Sequence, residues 1–261
     1  MGTDASSELN PTQRFSDRVD DYVRYRPSYP PGVVALLRER AGLSGSSSVA
    51  DVGAGTGIFT RLLLETGAKV FAVEPNEAMR RAAEDEFRGR SAFVSVAGTA
   101  EATGLADRAV QIVTSAQAFH WFDGPAARRE FVRILVPEGW CALIWNTPIS
   151  TATPFAEGYE NLKNTYGTDF KRVRHESLGK EGRFAAFFGS GPWSLECLEN
   201  SQTLDYEGLK GRLLSSSYAP NAGHPSHEPM LKALTELFDW CQVNGVVRMD
   251  YVTEVYLGKF N

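Results

Sequence analysis

Cysteine is scarce in this chain of 261 residues: Cys141, Cys197 and Cys241 lie far apart and form no CxxC pair. That excludes a disulfide framework and a cysteine zinc site, and it suits a reducing, cytoplasmic compartment. Histidine is almost as sparse, at His120, His175, His224 and His227, with no HExxH or HxxxH spacing. No metal is expected. Long hydrophobic runs are missing: nothing approaches the roughly 18 apolar residues a membrane helix needs. The N-terminal stretch MGTDASSELNPTQ lacks a basic start and an apolar run, so it does not read as a signal peptide. Residues 1–12 read as a disordered polar tail. Positive charge is also lacking: 27 Lys and Arg against 32 Asp and Glu leave a net charge of −5. Nucleic acid is therefore a poor expectation for a partner, as is a membrane.

Hydrophobic residues at 43% and charged residues at 23% are ordinary globular values, and the length suits one large domain with an inserted cap. Between positions 49 and 146, five short apolar runs alternate with helical patterns. VADV, KVFAV, SAFVSV, AVQIVTS and WCALIWN read as strands. PGVVALLRERAG, IFTRLLLETG, NEAMRRAAEDEFRGR and PAARREFVRILVPEG read as helices, the third opened by Asn76 as N-cap and the last with apolar residues at 131, 132, 134 and 135. Such alternation predicts βαβ units and a parallel sheet with helices on both faces. After Asn146 the pattern changes. FAEGYENLKNTYG, YEGLKGRLLSSSY and SHEPMLKALTELFDWCQVNG read as helices, and SLECLENSQTL as a strand. The last segment, VVRMDYVTEVYLGKF, puts Val247, Met249, Tyr251, Thr253 and Val255 on one face, which predicts a late antiparallel strand.

The sharpest motif is Asp51-Val-Gly53-Ala54-Gly55-Thr-Gly57, after a buried strand and before a helix. Ligands of doubly wound sheets sit at such a turn, and glycine lets the backbone approach them closely. Glu74 ends the next strand, 21 residues after Gly53, where a carboxylate can accept from both hydroxyls of a ribose. Together these point to an adenosine-containing cofactor. The dinucleotide fingerprint GxGxxG is not met, because the third glycine comes one residue early and Ile58 follows. No Walker loop is present. An NAD-dependent oxidoreductase is therefore the lesser alternative.

The pattern D-x-G-x-G-x-G with an acid at the second strand end resembles class I S-adenosylmethionine-dependent methyltransferases. Gly98-Thr99-Ala100-Glu101-Ala102-Thr103-Gly104-Leu105 resembles their third-strand loop, with Thr99 at the usual aspartate. Thr114 to Phe122, with its AFHWF, is similar to a small-molecule, trans-aconitate-type (methyltransferase type 11) subgroup. So are FSDRVDDYVRYRPSYP over Phe15–Pro30 and the C-terminal RLLSSSYAP and VVRMDYVTEVYLG. The resemblance implies a Rossmann-like three-layer αβα sandwich with a seven-stranded, mostly parallel sheet, one antiparallel strand and a helical cap. The expected division is a lid segment at 13–30, a cofactor-binding core at 31–146, cap helices plus a late core strand at 147–245, and a C-terminal core strand at 246–261.

The activity the resemblance implies is methyl transfer from S-adenosylmethionine to a small molecule, by in-line displacement with orientation and desolvation. O-methylation of a carboxylate or hydroxyl is expected, with S-adenosylhomocysteine as product and no metal. The alternative is a non-catalytic protein that binds either compound. The cofactor-binding set expected is Asp51, Gly53, Ala54, Gly55, Gly57, Glu74, Pro75, Thr99, Ala100, Glu101, Ala116, Gln117, and Tyr22 and Arg26 from the lid. Phe15, Phe119, His120 and Trp121 would line the substrate pocket, since aromatic faces hold a sulfonium without a rigid anion pair. His120 would orient the acceptor or act as its base. A monomer is the default expectation, a homodimer the alternative.

Overall fold

The computed structural model describes residues 23–151, 153–168, 170 and 180–261. Helix α1 (Pro31–Ala41) starts on a proline and ends at Gly42 in a left-handed conformation. Strand β1 (Ser48–Val52) leads through the glycine turn into α2 (Ile58–Leu64). Then come β2 (Lys69–Val73) and α3 (Glu77–Glu86), whose N-cap Asn76 side chain accepts from the Met79 N–H. β3 (Phe93–Val96), β4 (Val110–Ala116), a 3₁₀ turn at Phe119–Trp121, α4 (Gly124–Ile134) and β5 (Leu135–Pro148) follow. The later elements are α5 (Pro154–Tyr166), α6 (Lys180–Phe188), β6 (Trp193–Leu204), α7 (Tyr206–Leu214), α8 (His227–Cys241) and β7 (Val247–Gly258).

The seven strands form one sheet in the order β3-β2-β1-β4-β5-β7-β6. β1 to β5 pair in parallel, and β7 runs antiparallel to both neighbours. Alternate residues of the central strands face opposite layers. Val49, Val70, Ile112, Ile144 and Leu257 pack with Val33, Leu37, Phe59, Leu63 and Phe87 of the α1–α3 side. Val52, Val113, Leu143 and Tyr256 pack with Phe131 and Ile134 of α4 and Phe184, Phe187 and Phe188 of α6. The expected three-layer sandwich is thus present. A third apolar cluster joins α5, α7 and α8 to the first half of β7, through Tyr159, Leu209, Leu234 and Tyr251.

One boundary differs from the sequence expectation. The α4 helix stops at Ile134, and Leu135 already pairs with Val110 as the first residue of β5. Pro137 disfavours a helical Val136, and the sheet register takes Leu135. Asn146 at the end of β5 accepts through Oδ1 from Thr253 (2.6 Å) and Asn200 (3.2 Å) and donates through Nδ2 to the Ser28 carbonyl (3.1 Å). The described part of the N-terminal segment, 23–30, is tied to the carboxyl end of the sheet in this way. Gln202 Nε2 adds a bond to the Tyr25 carbonyl.

Candidate active site at the glycine turn

The turn after β1 is folded back onto β2. The Gly53 and Ala54 N–H groups both donate to the Val73 carbonyl, at 2.9 and 3.1 Å. Gly53 and Gly57 both have positive φ, and a Cβ on either would overlap a neighbour, Ala118 in one case and the Phe87 ring in the other. Only glycine meets both demands. Glu74 closes the turn from the far side. Its Oε2 accepts from the Gly55 N–H and its Oε1 from the Asn76 N–H, each at 2.8 Å. Burial raises the Glu74 pKa above the ordinary carboxylate range; the two backbone donors and Arg80 hold back part of that rise. Arg80 also donates to the Glu74 carbonyl (3.0 Å) and, at 3.4 Å, to that of Pro75.

Asp51 is turned inward. Its oxygens accept from Thr60 (2.7 Å) and Thr114 (2.9 Å), which ties β1 to α2 and β4. Burial pushes its pKa up from 3.8 to about 6 against those two bonds. Thr99 is exposed, Ala100 buried, and the Thr99 N–H meets the Ala102 carbonyl in a tight turn. Glu101 Oε1 accepts from the Asp123 N–H (2.9 Å), which joins this loop to the start of α4. Below it, Glu130 accepts from the Thr103 N–H and hydroxyl and is clasped by Arg133.

At the end of β4, Ala116 is half-buried and Gln117 adopts φ +59°, a strained backbone for a residue with a side chain. Gln117 is held by its own N–H to Ile144 O and by Nε2 to Asn146 O, both 2.9 Å. His120 and Trp121 are half-buried neighbours with ring centroids 4.7 Å apart, and Trp145 lies 5.7 Å from His120. Phe119 goes the other way. It is 2% exposed and packs on Phe122, Phe184 and Phe187, inside the core. Arg26 reaches α7, where its Nη2 donates to the Ser215 carbonyl (2.8 Å). Phe15 and Tyr22 lie outside the described residues.

Several residues escaped the sequence reading. Thr56, inside the glycine turn, is 5% exposed, and its hydroxyl has no partner among the described residues. Ser115, one residue before Ala116, is in the same state. Asn146 serves as a hydrogen-bond hub, and Asn76, already read as an N-cap, also donates its N–H to Glu74. A hydroxyl between two motif glycines was a signal available in the sequence; the other roles depend on pairing between distant strands. Among the described residues no group of three or more His, Cys, Asp or Glu could hold a metal, and no helix is long and apolar enough to cross a membrane.

Comparisons with known proteins fall on this region. A family model described as a methyltransferase domain matches residues 50–143. An uncharacterized methyltransferase of Mycobacterium tuberculosis is 41% identical over 136 residues, which is 51% of this chain and 52% of that protein. An uncharacterized methyltransferase-like protein of Schizosaccharomyces pombe is 33% identical over 156 residues, 59% of each chain. A malonyl-acyl-carrier-protein O-methyltransferase of Methylococcus capsulatus is 35% identical over 120 residues, 41% of this chain and 44% of that one. The match spans about half the length of these curated relatives. Among solved structures, a proposed type II methyltransferase from Anaeromyxobacter dehalogenans superposes with a TM-score of 0.65 at 24% identity, covering 90% of this chain and 98% of its own.

Proposed function

Residues 50–143 are a class I methyltransferase domain of the type 11 group, and on that premise we propose that the protein transfers a methyl group from S-adenosylmethionine to an oxygen of a small carboxylate or hydroxyl acceptor. The observation that carries this is the glycine turn latched to Glu74. The residues fit the cofactor. A Cβ at Gly55 would meet only Met79 Sδ, at 3.8 Å, so the turn has an open face there. Each Glu74 oxygen accepts one backbone bond and keeps capacity for a hydroxyl donor, as a ribose diol requires. The buried Thr56 hydroxyl is a further polar group in the turn.

The bound cofactor would supply an electrophilic methyl on a sulfonium, with S-adenosylhomocysteine left after transfer. In this reading Gly53, Ala54, Gly55, Gly57, Glu74 and Pro75 hold the nucleoside, with Thr99, Ala100 and Glu101 at the base. Ala116 and Gln117 border the methionine half. Asp51 sets the turn through its threonines. His120 orients the acceptor or takes its proton, and Trp121 walls the pocket. On this proposal the 13–30 segment, with Phe15, Tyr22 and Arg26, would close over the cleft and exclude water, and residues 147–245 would cap it. The Methylococcus relative, whose name specifies an O-methyltransferase, supports oxygen as the acceptor atom.

The test is calorimetric titration with S-adenosylmethionine, S-adenosylhomocysteine and NAD. The first two should bind, and Glu74→Ala should weaken them by about tenfold to a hundredfold, the value of one hydrogen bond to a charged group. Binding of NAD alone would overturn the proposal.

A further inference from the structure

The helical cluster on the first half of β7 contains charge that the proposed function leaves without a task. Arg212 lies on the inward side of α7, with Leu209 and Leu213, and is 7% exposed. A guanidinium at that depth is costly unless an anion or a full set of acceptors meets it. Among the described residues, the groups that act on it are the Tyr251, Tyr159 and Tyr218 phenols, none of them a carboxylate, and Tyr251 also shares a hydrogen bond with it. Its Nη1 donates to Ser216 Oγ at 3.3 Å, and its Nε has no partner among the described residues. The Tyr159 hydroxyl, 3% exposed, is likewise without one. Lys163, 6% exposed, is already matched by Glu160 at 2.6 Å. An arginine with one unmatched N–H and a tyrosine with an unmatched hydroxyl are thus buried within electrostatic reach of each other among the described residues, the first cationic and the second neutral. Arg26 brings a second guanidinium to the same tyrosines, since it acts on both Tyr159 and Tyr218 and is held to Ser215 O.

The strand register locates this cluster. Ala116 pairs with Ile144, whereas Tyr251 pairs with Pro148, four residues further along β5. Tyr251 and the arginine it meets therefore lie beyond the carboxyl end of β4. That is the end of the sheet where doubly wound folds bind ligands. A short chain of bonds joins the two places: Gln117 Nε2 to Asn146 O, then Asn146 Nδ2 to Ser28 O, two residues from Arg26.

We propose that Arg212 and Arg26, with the Tyr159 hydroxyl, form an anion-binding subsite for a carboxylate of the acceptor, so that the acceptor is a small organic acid anchored by a charged group. A carboxylate suits the site because a guanidinium fork pairs with two coplanar oxygens at once, and a phenol can add a third donor. The proposal rests on the methyltransferase reading for the word acceptor. The anion site itself stands on the buried groups alone.

The test uses the full chain, with succinate as probe and chloride at equal ionic strength as control. The wild-type melting temperature should rise with millimolar succinate. Arg212→Met keeps most of the volume and removes the charge. It should melt at the same or a higher temperature without succinate, because an uncompensated buried charge is gone, and should need at least about tenfold more succinate for the same shift. Tyr159→Phe should fold normally and also weaken the response. A wild-type protein indifferent to succinate would overturn the proposal. So would an Arg212→Met protein that melts lower yet keeps the full response, or a Tyr159→Phe protein with an unaltered one. Inorganic phosphate acting more strongly than succinate would overturn the choice of carboxylate. S-adenosylhomocysteine binding is measured in the same samples by calorimetry. Its absence sinks the methyltransferase reading and leaves the anion result to be judged separately.

Discussion

Replacing Asp51 with asparagine should stabilise this protein at neutral pH, by an amount that grows as the pH rises. Burial dominates the environment of the carboxyl, which is 1% exposed, and the Thr60 and Thr114 hydroxyls offset only part of it. Its pKa is about 6 in the folded state against 3.8 ordinarily. Across that window the native state holds a proton that the unfolded chain has lost, so stability falls as pH rises. The shift of about 2 units is worth about 3 kcal/mol, fully present below the unfolded pKa and gone above the folded one. Asparagine carries no charge at any pH. Its Oδ1 can accept from one threonine, and its Nδ2 can donate to the other, whose hydroxyl is free to rotate. The advantage of Asp51→Asn over wild type should therefore widen by about 2 kcal/mol from about pH 4.5 to about pH 7.5. Urea unfolding followed by the fluorescence of the five tryptophans gives both free energies at each pH. A difference that stays constant across the window would refute the reasoning, because it would mean the buried carboxyl ionises as it does in water.

Three further outcomes are expected. Gly57→Ala puts a Cβ into the Phe87 ring at φ +86°, so unfolding free energy should drop by about 1–3 kcal/mol and S-adenosylhomocysteine affinity should fall with it; calorimetry showing undiminished affinity would speak against a rigid turn. In Glu130, hydrogen bonding to Arg133 leads the causes that lower the pKa to about 2, so its contribution is present above the ordinary 4.5 and lost as pH falls through 2. Glu130→Gln should accordingly cost about 1–3 kcal/mol at neutral pH and less in acid, as read by chemical unfolding at both pH values. Asn146→Ala removes the bond to Ser28 and the acceptor for Thr253, so limited proteolysis should cut near residues 23–30 faster than in wild type; equal cutting rates would show that Asn146 does not restrain the segment.

Much of this architecture was legible in one dimension because its causes are local. Alternation of apolar runs with helical periods marked β1 to β5, strict two-residue alternation marked β7, and Asn76 announced the start of α3. The glycine turn and Glu74 could be read because backbone conformations that exclude a Cβ leave glycines at defined spacings, and a parallel sheet fixes how far apart successive strand ends fall. The end of α4 was misjudged at Leu135, where pairing with Val110 outweighs helical pattern. Phe119 looked like a pocket wall, yet its direction depends on Phe184 and Phe187, more than sixty residues away in sequence. Arg212 is the clearest case. In sequence it is one polar residue in an amphipathic helix, indistinguishable from a solvated one. Only the packing of α5, α7 and β7 around it buries its charge among three tyrosines, since burial is a property of what surrounds a residue and no single segment carries that information.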